Sequence, residues 1–340
     1  MRTLPFTGLA LAALLLLSCG QSSRLPALEL TGGAMGTRFS ITLIAPDDNI
    51  SMQGLQSRID ETLDEIENLA STWRSESELS KFNAITTSGW VATSLELCLA
   101  IEHALEISRL TDGAFDITVG PLVNLWGFGP EGSVREPPAE DTLQDVLATV
   151  GYQHLKTRCE TPAVEKQTGN LYVDLSGWAK GYAVDELAVL LDQYELQDYL
   201  VEIGGEIRVR GHNAEGLKWA VAVEAPSTTQ RVPHTILRVT DVSVATSGDY
   251  RNFFEFDGKS YSHTIDARTG RPVTHTLAAV TVVNASAAFA DAMATALLVL
   301  GPSDGPARAA ELGIAAFFLI RNKTGIEEVT TPEYDLLRTS

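Results

Sequence analysis

Residues 289–301 read FADAMATALLVLG, a nearly continuous apolar run that predicts a helix packed in the core. Gly301 and Pro302 are typical of a helix end. Asp291 lies inside the run and Thr295 follows four residues later, so both side chains lie on one helix face, one turn apart. A buried carboxylate is costly unless it is paired, hydrogen-bonded or bound to a metal. The helix alone leaves two interpretations open: a ligand-binding face, or simply the one solvated face of the helix.

Similar patterns on either side of this helix predict further elements. Strands are predicted at FSITLI (39–44), YVDL (172–175) and LAAVTVVN (277–284), and YLVEIGGEIRVRG (199–211) predicts one strand bent at Gly204-Gly205. Helices are predicted over 50–70, over 94–111 from a Ser94 cap, and over 180–191, with a long loop over 120–142. Asp257-Gly258, between two aromatic-rich runs, predicts a hairpin. Clustered helices and strands with hairpins favour an α+β fold, with mixed or antiparallel sheets and packed helices, over a doubly wound parallel sheet.

The amino-acid composition and net charge limit the classes of partner that the chain can bind. The chain has 340 residues, of which 44% are hydrophobic and 20% charged, and its formal net charge is −19. The proportions are ordinary for a globular protein, but the charge is not. It argues against nucleic acid, whose phosphates need a basic face, and against holding an anionic membrane by charge alone. We therefore expect no nucleic-acid partner.

The N-terminus, MRTLPFTGLALAALLLLSCG, has the pattern of a targeting segment. Arg2 precedes an apolar run that is too short for a comfortable membrane-spanning helix. Leu16-Leu17-Ser18-Cys19 resembles a bacterial lipoprotein cleavage box, which implies cleavage before Cys19 and a lipid on its sulfur. We expect a signal peptide over 1–18, a lipid-anchored tether over 19–28 and the functional domain over 29–340, on the periplasmic side of a membrane; the sequence leaves open whether this is the inner or the outer membrane. The alternative is an ordinary signal peptide with a coincidental cysteine.

Several common chemistries are excluded by missing motifs. Cys98 and Cys159 could pair in an oxidising compartment, or one could be buried and the other exposed. No CxxC and no Cys/His cluster is present, so a zinc site is not expected. The chain also lacks GxxxxGK[ST], a GxGxxG after a strand, GxSxG and HExxH.

Five stretches concentrate polar residues inside apolar surroundings. They are AMGT (34–37), STWR (71–74), GAFDITVG (113–120), VDLSGWAKG (173–181), and ATSGDYR (245–251) leading to SHTID (262–266). Each also has a purely structural interpretation. Asp116 and Asp174 suit helix caps or turns, Met35 and Trp73 suit a core, and His263 suits a satisfied structural histidine.

Taken together and in order, these stretches resemble a known family. DLSGWAKGYAVD (174–185), VATSGDYRNFFEFDGKSYSHTIDARTGRPV (244–273) and ADAMATALLVLG (290–301) are similar to the signature blocks of the ApbE-type flavin transferases. AMGT, STWRSESELSKFN and GAFDITVGPLVNLWGFGP are similar to the upstream blocks. The resemblance covers about residues 30–320 and implies a single catalytic unit with the T-fold-like architecture of that family.

The resemblance also implies a set of site residues. Metal ligands would be Asp291, Thr295 and the backbone carbonyl of Gly177, oxygen donors that suit Mg²⁺. Some relatives carry an additional Asp where this chain has Ala294, so the implied site has one carboxylate fewer. His263 is the candidate base, since an imidazole titrates near neutrality. The implied FAD contacts are Met35, Trp73, Ala114, Phe115, Asp116, Asp174, Lys180 and Ile265.

The implied activity is the Mg²⁺-dependent transfer of FMN from FAD to a Thr or Ser hydroxyl of a client protein, with release of AMP. A metal would reverse the local sign in this acidic chain, and Lys180 and Arg251 would add to it. Family analogy points to membrane redox subunits as clients, such as those of sodium-pumping NADH:quinone reductases. The alternatives are an FAD-binding lipoprotein, a Mg²⁺-dependent FAD pyrophosphatase that gives FMN and AMP, and a substrate-binding lipoprotein of a transporter.

Overall fold

The computed structural model describes residues 24–47, 49–130, 136–226, 232–250 and 252–339. Within these ranges the strands are β1 (Ala27–Ala34), β2 (Thr37–Ile44), β3 (Gly89–Ala92), β4 (Leu155–Arg158), β5 (Ala163–Lys166), β6 (Tyr199–Ile203), β7 (Glu206–Arg210), β8 (Trp219–Glu224), β9 (Pro233–Val239), β10 (Val242–Gly248), β11 (Phe253–Phe256), β12 (Lys259–Ser262), β13 (Ile265–Asp266), β14 (Arg271–Pro272), β15 (Leu277–Asn284), β16 (Ala315–Asn322) and β17 (Gly325–Thr330). The helices are α1 (Met52–Ala70), α2 (Glu78–Asn83), α3 (Leu95–Leu110), α4 (Gly120–Leu125), α5 (Glu140–Leu147), α6 (Ser176–Gln193), α7 (Ala287–Glu311) and α8 (Pro332–Thr339), with a 3₁₀ turn at Tyr152–His154.

The centre of the molecule is an eight-stranded sheet in the order β1-β2-β6-β7-β10-β15-β16-β17. Each neighbouring pair in this sheet runs antiparallel. In β15, Val280 and Val282 pack in the cluster that contains α7, while Ala279 and Val283 pack in the cluster on the opposite face. Both faces of this strand are therefore covered, which explains why LAAVTVVN is continuously apolar. The predicted α+β class with antiparallel sheets is confirmed.

Helices α6 and α7 cross on one face of the sheet at a glycine. A Cβ built on Gly181 would lie 2.2 Å from the Ala287 carbonyl oxygen, so only a glycine lets the two backbones come this close. The Asp185 side chain, one turn further along α6, accepts hydrogen bonds from the backbone N–H groups of Ala287 and Ala288 and from the Ser286 hydroxyl. Because these donors form the first turn of α7, Asp185 caps that helix and fixes its start against α6.

Several predicted elements are present. The predicted strands at 39–44 and 277–284 lie in β2 and β15, and the helix predicted over 50–70 is α1. The Ser94 cap is confirmed, since its hydroxyl accepts the Leu97 N–H and α3 follows. The helix predicted over 180–191 is part of α6, which begins earlier, at Ser176. Asp257-Gly258 joins β11 to β12, and both residues have positive φ, as a tight hairpin requires.

The prediction of one strand over 199–211 that bends at Gly204-Gly205 is wrong. The two glycines have φ of +61° and +110° and form a tight turn between β6 and β7, so the chain reverses rather than bends. A second error concerns 172–175, which belongs to no sheet. Its backbone pairs with a side chain: the Asn83 amide donates to the Val173 carbonyl and its oxygen accepts the Val173 N–H. The amide thus takes the place of a neighbouring strand.

Two further boundaries differ from the prediction. The segment 120–142 is not a continuous loop, because α4 begins at Gly120 and α5 begins at Glu140. At Gly301 the helix breaks, with φ of 83° and ψ of −172°, but a helical turn resumes at once. Pro302 fits there because the first turn of a helix does not use its backbone N–H.

Three separate observations concern the N-terminal segment, the two cysteines of the domain and the helices. Strand β1 begins at Ala27, within the stretch predicted as tether, while Cys19 lies outside the described residues. Cys98 and Cys159 form a disulfide that joins α3 to the segment after β4, which decides the alternative left open by the sequence. Among the described residues, none of the helices combines the length and apolar character needed to cross a bilayer.

Candidate active site

A cavity of about 610 Å³ opens where α6 and α7 meet the ends of several strands. Its volume falls within the range of about 300–1,000 Å³ that is usual for small-molecule sites. The lining includes every site residue predicted in the described part of the chain: Met35, Trp73, Ala114, Phe115, Asp116, Asp174, Gly177, Lys180, His263, Ile265, Asp291 and Thr295. Arg251, predicted to add positive charge, lies outside the described residues.

Asp291 is 4% exposed and is held by α6. Its Oδ2 accepts the Gly181 N–H at 3.1 Å and lies 3.5 Å from the Lys180 ammonium. Burial raises the pKa of Asp291 to about 7, although the Lys180 charge acts in the opposite direction. The solvated-face interpretation of this helix is therefore wrong, and Asp291 is a buried carboxylate turned towards the cavity.

Two other oxygen donors lie beside Asp291. Asp291 accepts the Gly181 N–H, and in a regular helix the Gly177 carbonyl lies next to that N–H group, one turn earlier in α6. A Cβ built on Gly177 would lie 3.7 Å from the Thr295 hydroxyl oxygen, which in turn contacts the Ser247 hydroxyl at 2.9 Å. The three residues predicted as metal ligands, one carboxylate, one hydroxyl and one carbonyl, are thus neighbours at the α6–α7 crossing.

Glu206 is a cavity residue that the sequence analysis missed. It is 3% exposed and stands directly after the Gly204-Gly205 turn. Its Oε1 accepts a hydrogen bond from the Lys180 ammonium, while its Oε2 is buried without a hydrogen-bond partner among the described residues. Burial opposes the charge of Lys180, but Asp291 and Glu206 outweigh it and raise the pKa of Lys180 above its usual value. Lys180 is therefore a fixed cation between two carboxylates.

His263 follows strand β12 and is half-buried in the cavity wall. Its Nδ1 lies 3.1 Å from the Asn252 carbonyl oxygen, and because a carbonyl only accepts, this hydrogen bond requires the proton on Nδ1. The neutral ring then carries its lone pair on Nε2. Burial lowers the pKa of His263; the Asn252 bond and the Asp249 charge act against this, and the Lys180 charge adds to it.

Asp116 and Asp174 line the cavity and also brace it. Asp116 accepts hydrogen bonds from the backbone and hydroxyl of Thr118 and from the Tyr152 N–H, and burial raises its pKa. Asp174 accepts from the backbone and hydroxyl of Ser176, the first residue of α6. Both carboxylates therefore stabilise local turns, as their structural interpretation predicted, and they also line the cavity.

Met35 and Trp73 also line the cavity, and they differ in burial: Met35 is half-buried and packs against two core clusters, whereas Trp73 is exposed. Met35 occupies the β1–β2 turn with φ of 53°, an unusual conformation for a side-chain-bearing residue, and its N–H donates to Glu67 at 2.7 Å. Trp73 is 67% exposed. An exposed indole that lines a cavity is available to stack on a ring.

The antiparallel α+β fold places a buried acidic pair and a histidine in the lining of one cavity, an arrangement that is typical of an enzyme active site. The chain belongs to the ApbE family, whose sequence model matches residues 35–318.

Similar proteins span nearly the whole chain. An FAD:protein FMN transferase of Vibrio cholerae is 41% identical over 325 residues, which is 96% of each chain. The solved flavin transferase ApbE from Vibrio cholerae has a TM-score of 0.85 and 39% identity, covering 92% of this chain and 99% of that one. The apo flavinyl transferase ApbE of Pseudomonas stutzeri also has a TM-score of 0.85, with 36% identity over 93% of this chain and 98% of that one.

Proposed function

We propose that this chain is an FAD:protein FMN transferase that attaches FMN to a Thr or Ser hydroxyl of a client protein and releases AMP. The observation that carries the proposal is the convergence of Asp291, Thr295, Gly177 and His263 on one cavity lined by separate sequence blocks. The Vibrio cholerae relative is named for this activity, the two solved structures are named as flavin or flavinyl transferases, and all three align over nearly the whole chain.

The reaction replaces the phosphoanhydride bond of FAD with a phosphoester bond between FMN and the client. The client hydroxyl oxygen bonds to the FMN phosphorus of FAD, the bond from that phosphorus to the bridging oxygen breaks, and AMP leaves with that oxygen. His263 Nε2 takes the hydroxyl proton, because the Asn252 carbonyl holds the other ring nitrogen in its protonated form. No oxidant or reductant is needed.

The donor set at the α6–α7 crossing fits a hard divalent cation. Asp291, Thr295 and the Gly177 carbonyl would hold Mg²⁺ through oxygen atoms, which it prefers. When bound, the ion supplies positive charge for the pyrophosphate.

The remaining lining residues have roles in holding FAD. Trp73, exposed at the rim, provides a ring face for stacking, and Met35, Ala114, Phe115 and Ile265 provide apolar contact. Lys180 is a fixed positive charge 3.5 Å from Asp291, and its ammonium would be available to the pyrophosphate when Mg²⁺ offsets the charges of Asp291 and Glu206. Asp116 and Asp174 shape the wall through their bonds to Thr118 and Ser176.

The cellular location of the enzyme is also part of the proposal, and it rests on the N-terminal sequence. Cleavage before Cys19 and lipidation of its sulfur would anchor the enzyme on the periplasmic side of a membrane. Clients would then be redox subunits of membrane electron-transfer complexes that present an acceptor Thr or Ser on the same side. The Cys98–Cys159 disulfide supports an oxidising compartment.

The proposed activity is tested by measuring the intact mass of a client protein after the reaction. Purified enzyme is incubated with FAD, Mg²⁺ and the soluble acceptor domain of a membrane redox subunit, and the intact mass of that domain is recorded. The client should gain the mass of FMN less one water, and a client whose acceptor Thr is replaced by Val should gain nothing. Unchanged client mass together with release of AMP and free FMN would establish a pyrophosphatase instead.

A further inference from the structure

Three charged side chains from three elements meet at one corner of the cavity. Lys180 of α6 donates to Glu206 of β7 and lies 3.5 Å from Asp291 of α7, which is the outer limit of a hydrogen bond. Both carboxylates are nearly inaccessible to solvent, with side-chain exposures of 5% each. One ammonium therefore compensates two buried negative charges, and the corner keeps one net negative charge.

The position of Glu206 is fixed by the backbone. It is the first residue of β7, and the turn before it needs two residues with positive φ, supplied by Gly204 and Gly205. A Cβ at Gly204 would lie 3.5 Å from the Lys180 Cδ, so the turn packs against the aliphatic part of the lysine. Glu206 and Lys180 are thus held together by the turn as well as by charge.

Glu206 also has an unused acceptor. Its Oε2 is buried and makes no hydrogen bond within the described residues. A buried carboxylate oxygen without a partner is unfavourable and unusual in native structures. This oxygen can accept a second hydrogen bond from the Lys180 ammonium if the lysine gives up its contact with Asp291.

We propose that Glu206 is a positioning residue that takes over Lys180 when a divalent cation binds Asp291. In the metal-free protein the lysine serves as the counter-ion of Asp291. A divalent cation at Asp291 repels the ammonium, which then has both Glu206 oxygens available. Metal binding at Asp291 therefore exchanges one cation for another, and Glu206 lowers the cost of that exchange.

The proposal predicts how metal affinity responds to Glu206→Gln. The amide has no charge to hold the ammonium, so Lys180 remains on Asp291 and competes with the metal. Mn²⁺ affinity, measured by electron paramagnetic resonance with neither FAD nor client present, should fall by about 10–100-fold, the usual effect of losing a residue behind a metal ligand. Glu202→Gln is the matched control, because it makes the same change before the same turn and its amide oxygen can still accept the Gly205 N–H. Its Mn²⁺ affinity should stay near that of the wild type.

A double-mutant cycle with Lys180→Met separates positioning from direct action. If Glu206 works through the lysine, then Glu206→Gln should change Mn²⁺ affinity far less in the Lys180→Met background than in the wild type. An equal or larger loss in that background would mean that Glu206 acts on the cation directly and would overturn the proposal. The inference rests on the proposed function only in placing the metal at Asp291. Wild-type protein that binds no Mn²⁺ would contradict that placement, whereas wild-type binding with an unaffected Glu206→Gln variant would contradict this inference alone.

Discussion

At the scale of single residues, His263 is the proposed base that takes the proton of the client hydroxyl. Its environment keeps the ring neutral near neutral pH, since burial and the Lys180 charge lower its pKa while Asn252 and Asp249 oppose this. The Asn252 carbonyl also selects the tautomer, leaving Nε2 as the acceptor. A neutral, oriented imidazole is what a general base requires.

Replacing His263 should therefore separate catalysis from binding. His263→Asn is expected to keep FAD affinity and to lower single-turnover transfer by about 10²–10⁴-fold, the usual contribution of a general base. The exposed His103 on α3 gives the matched control, and His103→Asn should leave both quantities unchanged. A normal rate at saturating FAD in His263→Asn would remove this histidine from the mechanism.

The pH dependence of transfer follows from the same residue. A base works only when deprotonated, so the rate should rise with pH through the pKa of His263 and then level off. Because that pKa is lowered, the midpoint of the rise should lie below about 6.5, the value of an ordinary histidine. The rise should be absent in His263→Asn, measured as the single-turnover rate across pH. A midpoint above the ordinary histidine value would contradict the assignment.

Asp291 should be needed for metal binding but not for folding. Asp291→Asn can still accept the Gly181 N–H, and Lys180 keeps Glu206 as a partner. We expect the variant to be folded and at least as heat-stable as the wild type in EDTA, because it removes a buried charge. Mg²⁺ should raise the Tm of the wild type and leave that of Asp291→Asn unchanged. Asp192→Asn, at the end of α6, should keep the Mg²⁺ effect.

The site residues differ in how far sequence could reveal them. Asp291 and Thr295 stand out because a polar pair at a four-residue spacing interrupts an apolar helix. Glu206 gave no such signal, because a glutamate after two glycines in a strand looks like an ordinary exposed residue. Only the turn geometry, which points it inward against Lys180, gives it a role. Tertiary packing of this kind leaves no local pattern.

At the scale of elements, the α6–α7 crossing positions the donors. Gly181 lets the helices touch, Asp185 caps α7, and the result is that Asp291 accepts a hydrogen bond from α6 itself. Any widening of this crossing would separate Asp291 and Thr295 on α7 from Gly177 on α6.

Gly181→Ala should therefore damage both stability and the metal site. The added methyl meets the Ala287 carbonyl, and overpacking of this kind costs about 1–3 kcal/mol in the free energy of unfolding, or more where backbone must move. Mn²⁺ affinity should fall in the same variant. The control is Gly54→Ala in α1, where the methyl meets only Ser51 at 3.4 Å. Gly54 lies in the first turn of α1, where alanine is accommodated without a clash, so this change should not lower stability. Unchanged Mn²⁺ affinity in a folded Gly181→Ala variant would show that the crossing does not set the site.

Elements were predictable where one local pattern dominated. The alternation and apolar runs of β2 and β15, the Ser94 cap of α3 and the Asp257-Gly258 turn each need only neighbouring residues. The errors arose where distant residues decide. YVDL has strand composition, but the Asn83 amide, far away in sequence, takes the hydrogen bonds that a strand would have made. A single sequence gives no sign of that partner.

At the scale of the whole molecule, the negative net charge of the chain opposes the binding of an anionic substrate at the site. A chain of net charge −19 repels the pyrophosphate of FAD, so binding needs a concentrated positive charge at one place. Asp291 and Glu206 outweigh the charge of Lys180, so the proposed Mg²⁺ at Asp291 would have to supply it. FAD affinity should accordingly depend on divalent cation more than on the overall charge of the surface.

The proposed anchor gives a prediction for the intact cell. Cys19→Ser removes the sulfur that would carry the lipid, so the chain should lack lipid and fail to fractionate with membranes. Cys98→Ser is the contrasting variant, because Cys98 pairs with Cys159 inside the fold and its loss should leave membrane fractionation intact. Membrane-bound, normally processed Cys19→Ser protein would point to a plain signal peptide with a separate membrane contact.

The most direct test of the central claim is the ratio of AMP released to FMN attached in one reaction of enzyme, FAD, Mg²⁺ and client. The proposed mechanism couples the two products through a single bond exchange in one cavity. It predicts equal amounts of AMP and FMN-bearing client at every time point and neither product when the client acceptor hydroxyl is absent. In His263→Asn both products should form together, about 10²–10⁴-fold more slowly. AMP that accumulates at the same rate with no flavin on the client would contradict the claim that this chain is a transferase.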